Sequence, residues 1–192
     1  MSKKFAFIAL ISLIAAVSIS AQKATEIDAK IENIRALYNE TNRTISEIES
    51  NDENAKGGRF AVNELVINKL DRSWAAVGNY KVVYRFYYQN KEEEPYPTQL
   101  VKVTIAVESA ARRYFYEFLY DGADQLVFFF ERSTESEVPD ELRVYFAKGT
   151  PIRIVENGSK RDKFTVNDLI KTNEALQESR RVRDIFVRSI EL

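Results

Sequence analysis

The sequence holds no cysteine and no histidine, and only six glycines, four prolines, one tryptophan and one methionine among 192 residues. Without cysteine there is no zinc–thiolate site, thiol nucleophile, disulfide or lipid attachment through sulfur. Without histidine the chain lacks the commonest general base and the commonest metal ligand, so a Ser-His-Asp or Cys-His arrangement does not exist. The scattered glycines build no phosphate loop, dinucleotide fingerprint or Gly-x-Ser-x-Gly elbow. EF-hand spacing is missing too. Asp121-Gly122-Ala123-Asp124 and Asn51-Asp52-Glu53-Asn54 are too short to cage calcium and read as turns. No cofactor and no metal is therefore expected. A formal net charge of −1 lacks the basic surplus of a nucleic-acid binder.

What is present begins with an address. Met1-Ser2-Lys3-Lys4 is a short positive segment, Phe5 to Ile19 is uncharged and apolar, and Ser18-Ile19-Ser20-Ala21 supplies small residues before polar Gln22. This three-part pattern predicts a signal peptide over residues 1–21. Its apolar run is shorter than the ~20 residues that span a bilayer, and no second run approaches that length. Residues 22–192 then form a single domain, extracytoplasmic (periplasmic or secreted), without a membrane span and without a disulfide. Losing Lys3 and Lys4 moves the net charge to −3.

From Thr25 to about Ser50 the apolar positions Ile27, Ile31, Ile34, Leu37, Thr41, Ile45 and Ile48 recur at spacings of three and four, predicting an amphipathic helix. It should stop in the polar run Asn51–Gly58. The period then falls to two. Phe60–Leu70, Tyr80–Tyr88, Val101–Val107, Arg113–Tyr120, Leu126–Arg132, Leu142–Ala147 and Ile152–Glu156 read as about seven strands joined by short polar links. Parity across Asp121–Gln125 predicts a hairpin pairing Tyr120 with Leu126, Phe118 with Phe128 and Tyr116 with Phe130. A second hairpin turns at Lys148-Gly149 and again wants an odd loop, Lys148-Gly149-Thr150, with a bulge. A last helix starts at Thr165 as N-cap, with Asp168 three residues on, Phe164 and Leu169 placed as a staple, and Leu169, Leu176, Val182, Phe186 and Ile190 along one face. The fold class is α+β: an amino-terminal amphipathic helix, a curved antiparallel meander and a carboxy-terminal helix, with helix packing on at least one side of the sheet.

Composition leaves paired carboxylates as the one catalytic device. In the expected register Glu117 and Glu131 share a face at roughly 7 Å, a spacing a glycoside hydrolase could use. The aromatic content says more. Tyr80, Tyr84 and Tyr88 share one strand face and Tyr114, Tyr116 and Tyr120 another, with Trp74 near the start of the long strand. A ring with a polar tip suits sugars, peptides and protein partners. Charge is uneven: residues 91–140 carry eleven acidic and five basic side chains, and 141–192 carry eight acidic and eleven basic. Arg180, Arg181, Arg183 and Arg188 crowd the last helix and form a candidate docking surface, in part a response to the helix dipole. Lys91–Pro97 is an acidic, proline-bounded loop. Asn39, Asn42 and Asn157 open glycosylation sequons that read as chance matches.

The leader ending Ser-Ala-Gln, the run Ala110–Asp121, Leu126–Phe130 and Arg143–Phe146 together resemble uncharacterised secreted proteins of Bacteroidetes-type Gram-negative bacteria. The resemblance covers roughly residues 75 to 156. It implies a periplasmic or surface location and brings no activity. The order of elements is also similar to cystatin-like and nuclear-transport-factor-like folds, an analogy of fold that assigns no function. The expectation is a non-enzymatic binding module that uses its aromatic sheet face against a glycan, a peptide or an envelope protein. The alternatives are a carboxylate-based glycan hydrolase and a structural subunit docking through the arginine-rich helix. No nucleic acid enters as a partner, and the mature chain has no membrane span.

Overall fold

The computed structural model describes residues 3–50, 60–75, 78–90, 97–110, 112–134 and 139–191, with side chains from residue 25 onward except those of Trp74 and Pro97. The expected helix stop at 51–58 and residues 91–96 of the acidic loop lie outside the described residues. Helix α1 runs Lys3–Glu49 and helix α2 runs Val166–Ile190. Among the described residues nine strands lie between them: β1 (Ala61–Ile67), β2 (Ser73–Trp74), β3 (Gly78–Asn90), β4 (Pro97–Ser109), β5 (Arg112–Tyr120), β6 (Leu126–Ser133), β7 (Asp140–Ala147), β8 (Thr150–Glu156) and β9 (Ser159–Arg161). Each expected strand is present, and the short β2 and β9 are additions to them. All pairs are antiparallel, in the order β1-β3-β4-β5-β6-β7-β8-β9, with β2 paired to β3. From β3 onward every strand pairs with its successor, as short connections require.

The sheet is covered on both faces, giving three layers. On one face α1 places the stripe the periodicity foretold: Ile31, Ile34, Thr41 and Ile45 are buried, with Ile27, Leu37 and Ile48 packed at the margin. They meet Leu119, Phe128, Phe130 and Tyr145 near the middle of the helix and Phe60, Tyr87 and Val101 near its end. The wet side of α1 carries exposed pairs at helical spacing, such as Glu26–Lys30 and Glu32–Arg35, each worth a few tenths of a kcal/mol, about 0.2–0.5. On the other face α2 packs Ala175, Val182 and Phe186 onto Phe86, Phe118, Phe146, Val103, Val144 and Ile154. Phe186 sits 5.9 Å from the Phe86 ring and 5.0 Å from that of Tyr88.

A β-bulge corrects the first hairpin. The turn Asp121–Gln125 pairs Tyr120 with Leu126 as expected, but Val127 is an extra residue and the next partners are Leu119 with Phe128 and Phe118 with Phe129. Phe128 and Phe130 thus belong to the α1 face and Phe129 to the α2 face. An extra residue reverses every side chain beyond it. The second hairpin closes on the two-residue turn Lys148-Gly149, both at positive φ (+52° and +72°). A bulge at Ile152 then restores the pairing of Val144 with Ile154.

The capping box of α2 is formed. Thr165 Oγ1 accepts from the Asp168 amide at 3.2 Å, and the Asp168 carboxylate accepts from the Thr165 amide at 2.9 Å. The buried stripe of α2 is Asp168, Thr172, Ala175, Ser179, Val182 and Phe186. Leu169, expected on that stripe, is half exposed. Small residues line the contact instead and let the helix lie close to the sheet.

Candidate functional site

Where α2 crosses the sheet, one end of the α2 face stays uncovered and forms a cleft of about 880 Å³. Its floor is the alternating positions of β3, β4, β5 and β6: Tyr80, Val82 and Tyr84, then Ile105 and Val107, then Tyr114 and Tyr116, then Phe129 and Glu131. One wall is a flank of α2, Lys171, Glu174, Glu178 and Arg181, spaced three and four apart so that they rise above one another on one side of the helix. Asp140, Glu141, Glu156 and Asn157, at the ends of β7 and β8, complete the lining. Tyr114 and Tyr116 stack at 6.4 Å with 8° between their planes, and Tyr116 lies 6.4 Å from Phe129.

Of the seven aromatic residues singled out from the sequence, the structure brings together Tyr80, Tyr84, Tyr114 and Tyr116 in this cleft. Tyr84 is 6% exposed and its hydroxyl accepts from Arg181 Nη2 at 3.1 Å, so it forms the cleft's base. Tyr88 and Tyr120 are core instead: Tyr88 lies against Phe186, and the Tyr120 hydroxyl donates to the Ser179 carbonyl at 3.2 Å. Burial pushes the Tyr120 hydroxyl well above the ordinary phenol range. Trp74 stands in β2, its side chain outside the described residues. The four candidate docking arginines divide as well. Arg181 is bonded to Glu178 and Tyr84, and Arg183 donates to the Asp124 carbonyl at 3.2 Å. Arg180 and Arg188 remain exposed.

The bulge also separates the two candidate carboxylates. Glu131 pairs with Tyr116 and faces the cleft, whereas Glu117 pairs with Phe130 on the α1 face. There Lys102 Nζ and the Tyr38 hydroxyl hold Glu117, the latter at 2.7 Å, and Lys102 also donates to Asn42 Oδ1 at 2.7 Å. The sheet lies between the two carboxylates, so they do not form a catalytic pair.

The cleft is acidic: six carboxylates line it against two cations. Both cations are engaged, Lys171 with Glu156 and Arg181 with Glu178. Glu141 is paired with Arg143 at 2.6 Å, and Asp140 accepts from the Asn157 amide at 3.0 Å. Glu131 and Glu174 accept no hydrogen bond and form no ion pair among the described residues. Burial pushes the Glu131 carboxyl above the usual carboxylate range, Lys171 pulls it back, and the charge of Glu174 raises it further. Tyr116 is pushed up to about 12, first by burial and then by Glu131 and Glu178. Sequence reasoning reached the tyrosines but not Glu131's side of the sheet or the charged flank of α2. A spacing of three, four and three at residues 171, 174, 178 and 181 was the available signal.

A smaller pocket of about 380 Å³ opens on the α1 face, with Arg35, Arg132 and Arg143 near Phe130 and Tyr145. All three arginines are ion-paired, Arg35 to Glu32 and the other two to Glu141. Among the described residues no group of three or more Asp, Glu, His or Cys side chains converges as a metal site would require, and no helix is long and apolar enough to cross a membrane. The class defined here is an α+β protein with an open antiparallel sheet, a helix on each face and an aromatic cleft beside the second helix. No protein-family model, curated protein or solved structure matches this chain.

Proposed function

We propose that this chain is an exported, non-enzymatic binding module whose ligand lies in the tyrosine cleft. The observation that carries the reading is the cleft's construction: a volume of about 880 Å³ with four half-buried or buried tyrosines on a rigid sheet and a charged helical wall. An apolar aromatic floor beneath oriented polar and charged groups suits a ligand that has both apolar and polar parts. The want of histidine and cysteine, and the separation of Glu117 from Glu131 by the sheet, speak against a hydrolase. Docking through the arginines has less behind it, because Arg181 and Arg183 are bonded within the chain. The export half of the proposal rests on the leader pattern of residues 1–21 and on the resemblance to secreted Bacteroidetes-type proteins.

A thermal-shift panel of glycans, peptides, lipids and small ions tests the binding half. A ligand at 100 times its Kd adds about 2.7 kcal/mol, a rise of several degrees for a domain of this size. Tyr116→Ala should abolish the shift given by a cleft ligand. A shift that survives Tyr116→Ala places the ligand elsewhere and refutes the reading. Fusion of residues 1–30 to a reporter enzyme active only outside the cytoplasm tests export, and an inactive fusion refutes it.

A further inference from the structure

The cleft's two unpaired carboxylates stand on different elements. Glu131 rises from β6 beside the stacked rings of Tyr116 and Phe129, and Glu174 lies on the flank of α2. They are close enough for the charge of one to disfavour ionisation of the other. Among the described residues neither forms an ion pair, and the nearby cations are bonded elsewhere, Lys171 to Glu156 and Arg181 to Glu178. Two carboxylates fall short of the six to eight oxygens that calcium takes, and the floor beneath them is aromatic. A half-desolvated carboxylate next to aromatic faces suits a positively charged nitrogen on an apolar stem. The nitrogen gains a charge-assisted hydrogen bond and a cation–π contact, and the stem covers the rings.

We propose, resting on the cleft reading above, that the ligand is an organic cation, a primary ammonium or guanidinium on an aliphatic stem, held between Glu131 and Glu174 beside Tyr116. A neutral ligand would fill the same space and leave the two like charges facing one another, whereas a cation relieves both. A polyamine and a lysine- or arginine-bearing peptide share this chemistry.

The test is NMR titration of the tyrosine ring signals of the full chain with spermidine, a Lys-Gly-Lys tripeptide and a neutral trisaccharide, repeated on Glu131→Gln. The expected result is saturable perturbation of Tyr114 and Tyr116 by at least one cation below millimolar concentration, weakened tenfold or more in Glu131→Gln while the variant keeps the native ring dispersion. Stronger binding of spermidine identifies a free polyamine, and stronger binding of the tripeptide a peptide side chain. If the trisaccharide saturates the rings and neither cation does, the cation inference falls and the cleft reading stands. If none of the three perturbs these rings at 10 mM, both fall. Equal cation affinity in wild type and Glu131→Gln overturns the role of Glu131.

Discussion

Removing Lys102's charge should be among the most damaging single changes available to this protein. Its side chain is 4% exposed and that of Glu117 9%, so the pair is cut off from water beneath α1. Lys102→Met leaves the Glu117 carboxylate buried with only the Tyr38 hydroxyl to bond it. Breaking one partner of such a pair costs about 3–5 kcal/mol, a large part of the roughly 5–15 kcal/mol that holds a domain folded. Glu117→Gln strands Lys102 instead, but Asn42 still accepts from it and the Tyr38 ring lies 4.8 Å away. Its cost belongs at the lower end, about 3 kcal/mol. The double variant removes both charges and keeps an acceptor for Tyr38, so it should cost only about 1–2 kcal/mol. Urea unfolding at pH 7 measures all three free energies, and the double variant should fall short of the sum by at least ~3 kcal/mol. The coupling should persist in 1 M salt, which screens exposed pairs and hardly reaches a buried one. A Lys102→Met cost below 1 kcal/mol, or additive costs, would refute the argument that burial couples this pair.

The remaining predictions concern the other face and the ends of elements. Phe186→Ala, which empties the contact with Phe86 and Tyr88, should lower stability by about 3–5 kcal/mol in urea unfolding. Thr165→Ala removes the N-cap of α2 and should cost about 1 kcal/mol. Asp168 is held down to about 2, first by Arg161 and then by the Thr165 amide and hydroxyl. Its folded pKa lies below the unfolded value, so it contributes stability that is present above about pH 4 and lost as pH falls through 2. The acid limb of a pH–Tm curve should accordingly flatten in Asp168→Asn. Glu131 has the opposite sign. Its pKa is raised in the folded state, so its charge costs stability above its folded value and not below its ordinary one. Without ligand, Glu131→Gln should therefore melt higher than wild type at pH 7 and equally at pH 3.

The elements were legible where burial is one-sided. The stripe of α1 and the alternation of Tyr80, Val82, Tyr84 and Phe86 each mark a surface with one face toward apolar neighbours. Leu126-Val127-Phe128-Phe129-Phe130 is apolar at every position because helices cover both faces of the sheet, and a strand buried on both faces loses its parity signal. A bulge within such a run leaves no mark in composition, and for that reason Glu117 and Glu131 read as neighbours. On α2 the difficulty was inverted. Its contact stripe is built of Asp168, Thr172, Ala175 and Ser179, whose short side chains permit a close approach, while Val166, Leu169 and Ile170 face outward. Hydrophobicity alone points to the wrong flank there. Half of the tyrosine site was readable as shared parity; the rest depended on where α2 crosses, which no local pattern encodes.

The three-layer order also implies a sequence of events during folding. From β3 onward each strand pairs with the one made just before it, so the sheet can grow by successive hairpins with little loop to close. Helix α1 precedes all of it, and its apolar stripe is on hand to cover one side as the strands assemble. The other side has no such partner until residue 166 has been made, and Phe86, Phe118 and Phe146, each 1% exposed or less in the finished protein, stay open to water until then. A chain interrupted before α2 would thus carry a finished sheet with one dry and one sticky side. Such a species is prone to aggregate, and it is the one that quality-control proteins would meet.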